Sequence, residues 1–463
     1  MHRQRIGYRA VVLGAGMAGL LAARALADHY AEVVILDRDD PPAYAAPRRG
    51  VPQGRHIHAL VAGGQRALEA LVPGVTGELV AAGAAHGDLL ADTRIHLSGQ
   101  RLHRATSGLA FISLSRPVLE DRVRRRVLAL PAVRMVGSCD VVGLVTSADG
   151  GHVVGARVLR RADGSAPEVV DAALVVDATG RGSRAGDWLA AIGYARPEEE
   201  RVPVDVGYAT RTYHLPPDVL DGHLGVLQGI APDLPRGGAL SRIEGDRWML
   251  SLIGVRGEHP PTDPDGFTAF AASLGAPDIA DAISDGVPLD DPVAYRFPAD
   301  LRRRYDRLRR LPAHFVVFGD GVCCLNPAYG QGMSVAALEA LALRRHLEHR
   351  SSVDPRAWYQ EIARIVRPAW DMTAGADGAF PQVDATPSRR ARLLGAYVAR
   401  VHAAAAHDPG LATTVAGVAG LVEPPSALLR PAVVAKALRH AVVQPPQPSP
   451  AAAVPSARRT PTG

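Results

Sequence analysis

Lysine is almost absent from this chain: Lys436 is the single one, and the other 51 of its 52 basic residues are arginines. Set against 47 acidic residues, they leave a formal net charge of +5 spread over 463 residues with few dense runs. That distribution argues against a nucleic-acid surface. The densest clusters, Arg124-Arg125-Arg126 and Arg302-Arg303-Arg304, fall in helix-like or charged-turn patterns and read as solvated faces. Cysteine is scarce too. Three residues, two of them adjacent at Cys323-Cys324, build neither a disulfide framework nor a metal-ligand spacing, which fits a reducing, cytoplasmic setting. No uninterrupted apolar stretch reaches the ~20 residues that span a bilayer, so no membrane segment is expected.

What is present is an ordinary globular composition, 47% hydrophobic and 21% charged, in a chain long for one core. The opening "MHRQRIGYRAVVLGAGMAGLLAARAL" imitates a signal peptide, but its glycines fall at βαβ spacing and no small-residue cleavage site follows, so it reads as fold. Residues 10–13 read as a buried strand, 16–28 as a helix and 32–37 as a second strand. The Pro- and Gly-rich stretch 41–55 is a loop. Residues 60–71 and 118–130 carry helical periodicity, and 134–136, 153–159 and 169–176 read as strands. From about 204 to 252 the pattern turns β-branched and aromatic, which predicts a separate antiparallel sheet continuing to about 283 with a small helix. A buried strand returns at 315–318 and a long helix at 333–350; residues 358–407 are mostly helical by period.

These segments give an α/β chain with a discontinuous Rossmann-like domain over 1–200 and 285–355. A β-rich substrate domain is inserted at 201–284, a helical region follows at 356–443, and the Pro-, Ala- and Ser-rich residues 444–463 are expected to be a disordered tail.

In "VVLGAGMAGL", Gly14, Gly16 and Gly19 fit G-x-G-x-x-G between a strand and a helix. The first glycine permits the turn, the second lets a pyrophosphate approach the backbone, and the third lets helix and strand pack. The helix start adds amide donors and a favourable dipole. Asp37 ends the next strand, where a carboxylate accepts from ribose hydroxyls. The order of these features points to an adenine dinucleotide but does not choose between NAD and FAD. The stretch "VVFGDGVCCLNPAYGQGMSVAALEAL" makes that choice. Asp320 stands at a strand end where it would hold a ribityl hydroxyl, and the turn Gly330-Gln331-Gly332-Met333 exposes backbone amides at a helix mouth, suited to the electron-rich pyrimidine end of a flavin.

Together with "SRPVLEDRVRRRV" and "VVDATGRGSR", these motifs resemble the single-component flavoprotein monooxygenases of the p-hydroxybenzoate hydroxylase type, with a glutathione-reductase-like FAD domain. Within them, "RRGVPQGRHIHAL", "GYATRTY" and "NPAYGQGMS" look most like the flavin epoxidases of bacterial polyether and other polyketide pathways. The likeness runs from about residue 9 to 347; Gly321 departs from the alanine usual after the Gly-Asp pair.

The resemblance implies FAD at Gly14, Gly16, Met17, Ala18, Gly19, Asp37 and Arg38, with Arg49, Gln53 and Arg55 in the following loop. It further implies Arg116 near the phosphates and ribityl chain, Asp177 and Gly180 closing the site, and Gly319 and Asp320 at the ribityl. The segment Pro327, Gly330, Gln331, Gly332 and Met333 would lie beside the flavin ring. No catalytic side chain is assigned, because a flavin C4a-hydroperoxide formed from NADPH or NADH and O2 is itself the oxygen donor.

Plainer readings stand beside these. Arg116 pairs with Glu120 at i,i+4, and Asp177 forms a turn before Gly180. His56 and His58 have no carboxylate at a fitting spacing, so no metal is expected. Tyr208, Tyr213, Trp248 and Met249 read either as a cover for the flavin or as sheet core.

The implied substrate is a bulky, largely apolar, polyketide-like secondary metabolite, epoxidised or hydroxylated by a monomer or homodimer. The alternative is a redox-neutral cyclase that closes a ring in a polyene and keeps FAD as a scaffold.

Overall fold

β-Branched runs build the first layer. The computed structural model describes residues 5–162, 164–350, 352–380 and 389–439. Its principal elements, in chain order, are β1 (Gly7–Leu13), α1 (Met17–Leu26), β2 (Tyr30–Leu36), α2 (Ala62–Leu71), β3 (Thr93–Leu97), α3 (Arg116–Leu128), β4 (Val133–Val136), β5 (Leu174–Asp177), β6 (Glu199–His214), β7 (Gly225–Gln228), β8 (Arg236–Ile243), β9 (Arg247–Val255), β10 (Val293–Arg303), β11 (Phe315–Val317), α4 (Gly332–Glu348), α5 (Pro355–Asp377), α6 (Arg389–Ala405), α7 (Pro409–Ala419) and α8 (Pro431–Arg439).

The first sheet is parallel throughout, in the order β11-β5-β1-β2-β4. β11, β5 and the carboxyl halves of β1 and β2 are buried on both faces, as parallel sheets require, so they read as Val, Ile and Leu runs, whereas the edge strand β4 is only partly buried. Helix α1 packs on it and α4 packs on α1, and α5 pins the outer strand: the β11 amide of Val317 donates to the Tyr359 hydroxyl at 2.9 Å. All the strands of this sheet point their carboxyl ends to one edge, where an α/β fold leaves its ligand crevice.

The stretch 169–176 divides between two sheets. Glu168–Asp171 pairs antiparallel with Val153–Arg160 in a three-stranded sheet, and β5 enters the parallel sheet after the amide of Ala173 crosses to Arg9 O at 2.8 Å. A continuous apolar pattern hides the break because both halves are strands.

The antiparallel sheet extends beyond 201–284. Its centre is β10-β6-β9-β8-β7, with Cys323–Cys324 at one edge; at the other, β3, from the N-terminal third, joins parallel to β7. β6 needs neighbours on both sides and finds one, β10, about 90 residues away. This pairing also buries arginines expected to be solvated. Glu199 lies opposite Arg303 and Glu200 opposite Arg302, and cross-strand ion pairs hold them at 3.1 Å for Arg303–Glu199 and 2.6 Å for Arg304–Glu200. Arg124 is likewise buried, 2.8 Å from Asp121, while Arg125 stays in solvent.

Helices α5 to α8 form the C-terminal region. The expected tail, 444–463, lies outside the described residues. No helix among the described residues is long and apolar enough to cross a membrane.

Candidate functional site

Three chain segments meet at the carboxyl edge of the parallel sheet. At the first, Gly14 turns the chain with φ +96°, and a Cβ there would stand 2.7 Å from Ala178 O. A Cβ on Gly19 would lie 1.8 Å from Gly14 O, so helix and turn touch only because both are glycines. Gly16 differs: a Cβ there would meet nothing within 4 Å. The space before α1 is open where a pyrophosphate would approach the helix amides. Met17 is buried in the core and Ala18 packs under Gly319, whose φ is +60°.

Asp37 is buried, and its oxygens accept from the amides of Ala15 at 2.5 Å and Asp39 at 2.8 Å. Arg48 reaches over it, 3.4 Å from Asp37, 3.0 Å from Ala15 O and 2.6 Å from Glu120. Arg48, not the neighbouring Arg49, is thus the loop arginine folded into the crevice. Arg38, Arg49 and Arg55 are exposed, and no hydrogen bond or ion pair holds them among the described residues. Gln53 lies in the short turn Pro52–Arg55, half-buried.

Arg116 makes the i,i+4 pair with Glu120 that its plainer reading expects. It is buried, pairs with Glu120 at 3.3 Å, and turns Nη1 to the Met333 sulfur at the mouth of α4. Burial draws its guanidinium below its ordinary value, and Glu120 and Asp320 oppose that. Asp177 is a turn former. Its carboxylate is wholly buried and consumed by the Thr179 amide and hydroxyl at 2.9 and 2.6 Å and the Ser183 hydroxyl at 2.6 Å. Gly180, φ +78°, completes the turn.

Asp320 is the contrasting acid. It is partly buried, no donor among the described residues reaches its carboxylate, and Oδ1 would be 3.7 Å from a Cβ on Gly332. Burial raises its pKa, opposed by Arg116 and Arg181. An acceptor left unfilled beside a helix mouth suits a polyol chain. Its position is set by Glu339, fully buried on α4, which accepts the Gly319 amide at 2.7 Å. The other oxygen, Oε1, has no partner among the described residues, and burial pushes the carboxyl up to about 8.

The glycines around Gln331 have separate reasons. Gly330 has φ +67°, and a Cβ there would come within 2.6 Å of Ala59 on the facing loop; Gly332 opens the mouth of α4 toward Asp320. Gln331 itself faces away from the crevice, buried, donating to Ala419 O at 3.1 Å and facing Thr373. Pro327 is exposed. The C-terminal helices therefore dock on the back of the turn, and the Gly63 amide on α2 donates to Gly420 O at 2.8 Å.

On the antiparallel-sheet side, His56 bonds Thr210 at 2.7 Å and lies 5.5 Å from the Tyr295 ring, while Tyr208 donates to Asn326 at 2.9 Å. Burial lowers His56 to about 4 and His58 to about 3, so both are neutral near pH 7. Tyr213, Trp248 and Met249 are buried, the first two in the core of the antiparallel sheet. Among the described residues no cluster of three His, Cys, Asp or Glu could hold a metal.

Arg48, Glu339 and Arg181 were not singled out from sequence, and Glu120 was named only as the partner of Arg116. Glu339, the lone acid within "SVAALEALAL", was the available signal.

The model for an NAD(P)-binding Rossmann-like domain matches residues 12–66. Protein Rv3254 of Mycobacterium tuberculosis is 35% identical over 424 residues, 87% of each chain. The chain belongs to the Rv3254 family. In fold it is similar to the flavin-dependent brominase Bmp2, at TM-score 0.65 and 14% identity over 94% of this chain and 98% of that one. It is also similar to pqsL, a probable FAD-dependent monooxygenase from Pseudomonas aeruginosa, at TM-score 0.60 and 18% identity over 84% and 99%. The Diels-Alderase PyrE3 of pyrroindomycin biosynthesis aligns at TM-score 0.57 and 18% identity over 90% and 80%. This chain thus shares the fold of those flavin enzymes.

Proposed function

We propose that this protein is an FAD-dependent monooxygenase that oxygenates a bulky, largely apolar polyketide-like metabolite, by epoxidation first and hydroxylation second. The observation that carries the reading is the unfilled Asp320 carboxylate at the mouth of α4, together with the open space at Gly16. The residues fit FAD on that ground. The amides at the start of α1 would hold the pyrophosphate, Asp37 and Arg48 the adenosine ribose side, and Asp320 the ribityl hydroxyls. Bound and reduced by NADPH or NADH, FAD would turn O2 into an electrophilic oxygen donor. Arg116 places a fixed positive charge by Met333, and α5 and α7, bound to the turn through Asn326 and Gln331, cover its back and keep water from that side. No residue of the site has to act as nucleophile.

The test is the visible spectrum of the purified protein, followed anaerobically after adding NADPH, then NADH, with and without a long-chain polyene. Bleaching of a bound flavin band, faster with the polyene, is expected, followed in air by an oxygenated product. A yellow protein that stays oxidised even with a supplied reductase overturns the monooxygenase reading in favour of the redox-neutral cyclase. A protein that takes up no FAD overturns both.

A further inference from the structure

Two carboxyl groups that the cofactor cradle leaves unused meet beneath the turn that starts at Asn326. Asp300 lies in β10, Asp377 ends α5, and both are completely buried. Asp377 accepts from Asn326 Nδ2 at 2.9 and 3.2 Å and from the Tyr329 hydroxyl at 2.7 Å. Asp300 accepts from the Asn326 amide at 2.6 Å. The Asn326 side-chain oxygen in turn accepts from the Tyr208 hydroxyl and the Ala328 amide. Both acids thus grip one residue, and that residue begins the turn.

The second oxygen of Asp300, Oδ2, is buried, and among the described residues no N–H or hydroxyl donor reaches it. The Asp377 carboxyl grips the side chain of the same Asn326 whose amide Asp300 holds, so the two buried acids are neighbours. Two bare carboxylates so placed have no donor between them and repel strongly in a dry interior, and one proton shared between them removes that cost. The surroundings offer little compensation. Tyr208, Tyr329 and Cys324 are neutral neighbours, and Arg181 acts on Asp300 only from a distance, its Nη1 committed to Ala299 O at 2.8 Å and Cys324 Sγ at 3.4 Å.

We propose that Asp300 and Asp377 share one proton and act together as positioning residues: the shared proton clamps the Asn326–Gly332 turn, and its loss at alkaline pH releases it. The consequence for turnover rests on the monooxygenase reading; the clamp belongs to the polypeptide alone. Burial first, and the neighbouring charge second, push Asp300 up to about 9, and burial raises Asp377 as well. The clamp is therefore complete at neutral pH and is lost as pH rises through that value.

Hydrogen exchange of the peptide spanning Asn326–Gly332 tests this in the full chain, at about pH 7 and about pH 10, with rates corrected for the intrinsic pH dependence. Protection in the wild type should fall about tenfold or more across that range. Asp300→Asn, which keeps the acceptor for Asn326 and donates to Asp377 without a titrating proton, should hold its protection throughout. The infrared difference between wild type and this variant should show a protonated-carboxyl band at neutral pH that disappears at alkaline pH. Wild-type protection that does not change with pH, or a difference spectrum without that band, overturns the proposal. If Asp300→Asn fails to fold, the wild-type series decides alone. A chain that binds no FAD but keeps the pH-dependent clamp overturns the functional reading only; one that turns over with a pH-independent turn overturns the clamp only.

Discussion

Glu339 makes stability depend on pH in a way that can be isolated. Its carboxyl is wholly buried on α4 and holds the Gly319 amide through Oε2 at 2.7 Å, while Oε1 has no partner among the described residues. Burial moves it from an ordinary value of 4.5 to about 8, partly countered by the Gly319 hydrogen bond. The folded chain binds this proton more tightly than the unfolded chain, so unfolding releases it. The stabilisation is fully present below about pH 4.5 and is lost as pH rises toward about 8, at about 1.4 kcal/mol per pH unit and about 5 kcal/mol in all. Glu339→Gln keeps the acceptor for Gly319 and removes the titration; the constant cost of its buried NH2 shifts its curve without tilting it. Thermal melts of both proteins at pH 6, 7 and 8 isolate the effect, since every other titrating group cancels in the difference. The gap should move in favour of the variant by about 1–2 °C per pH unit in a chain of this size. Parallel curves would mean that Glu339 is ionised in the folded protein, and the account of a neutral acid holding the Gly319-Asp320 corner would fail.

Asp320→Asn should leave melting within about 1 °C of wild type but weaken FAD binding about 10- to 100-fold, the worth of a charge-assisted hydrogen bond, as read by quenching of flavin fluorescence. Gly16→Ala and Gly19→Ala should part ways. The first adds a methyl where nothing stands within 4 Å, so it spares the fold and costs cofactor affinity; the second drives a methyl against Gly14 O and costs more than about 2 kcal/mol of stability. His402 on α6 is pushed down to about 4 by burial and faces Ser98 at 3.0 Å. Its neutral form stabilises the fold fully above about pH 6.5, and that contribution is lost as pH falls toward 4, so protease cleavage within 389–439 should rise over that range in wild type and less in His402→Gln.

The parts of the site legible in sequence are those fixed by backbone conformation. Gly14, Gly16 and Gly19 announce themselves because only glycine fits the turn and the close helix packing, and the terminal acids Asp37 and Asp320 follow from strand ends. What sequence did not give depends on pairing between distant segments. Arg48 and Arg49 are neighbours in one loop, and nothing local says which folds inward; Glu120, seventy residues on, decides it. Asp177 and Asp320 look alike at their strand ends, yet one is consumed by Thr179 and Ser183 and the other is left free. Gln331, between two glycines, looks aimed at a ring; the C-terminal helices claim it instead. The extent of the antiparallel sheet was hidden for the same reason, since β10 and β3 join it from outside the stretch whose composition marks it.

That division bears on which reaction the site performs. The cradle for a dinucleotide is built from short-range signals, and the same fold carries a brominase, a probable monooxygenase and a Diels-Alderase at under 20% identity. The backbone at Gly14–Gly19 and Gly319–Gly332 therefore cannot separate these chemistries. The residues that can are those over the turn: His56, Tyr208 and Tyr295 on the sheet side, and α5 to α7 behind. These are held by the long-range contacts that sequence reasoning reads least well. The pair Asp300 and Asp377 sits where the two sets meet, with one acid on the sheet and the other on the helical cover. A substitution there should disturb reaction geometry before it disturbs cofactor binding.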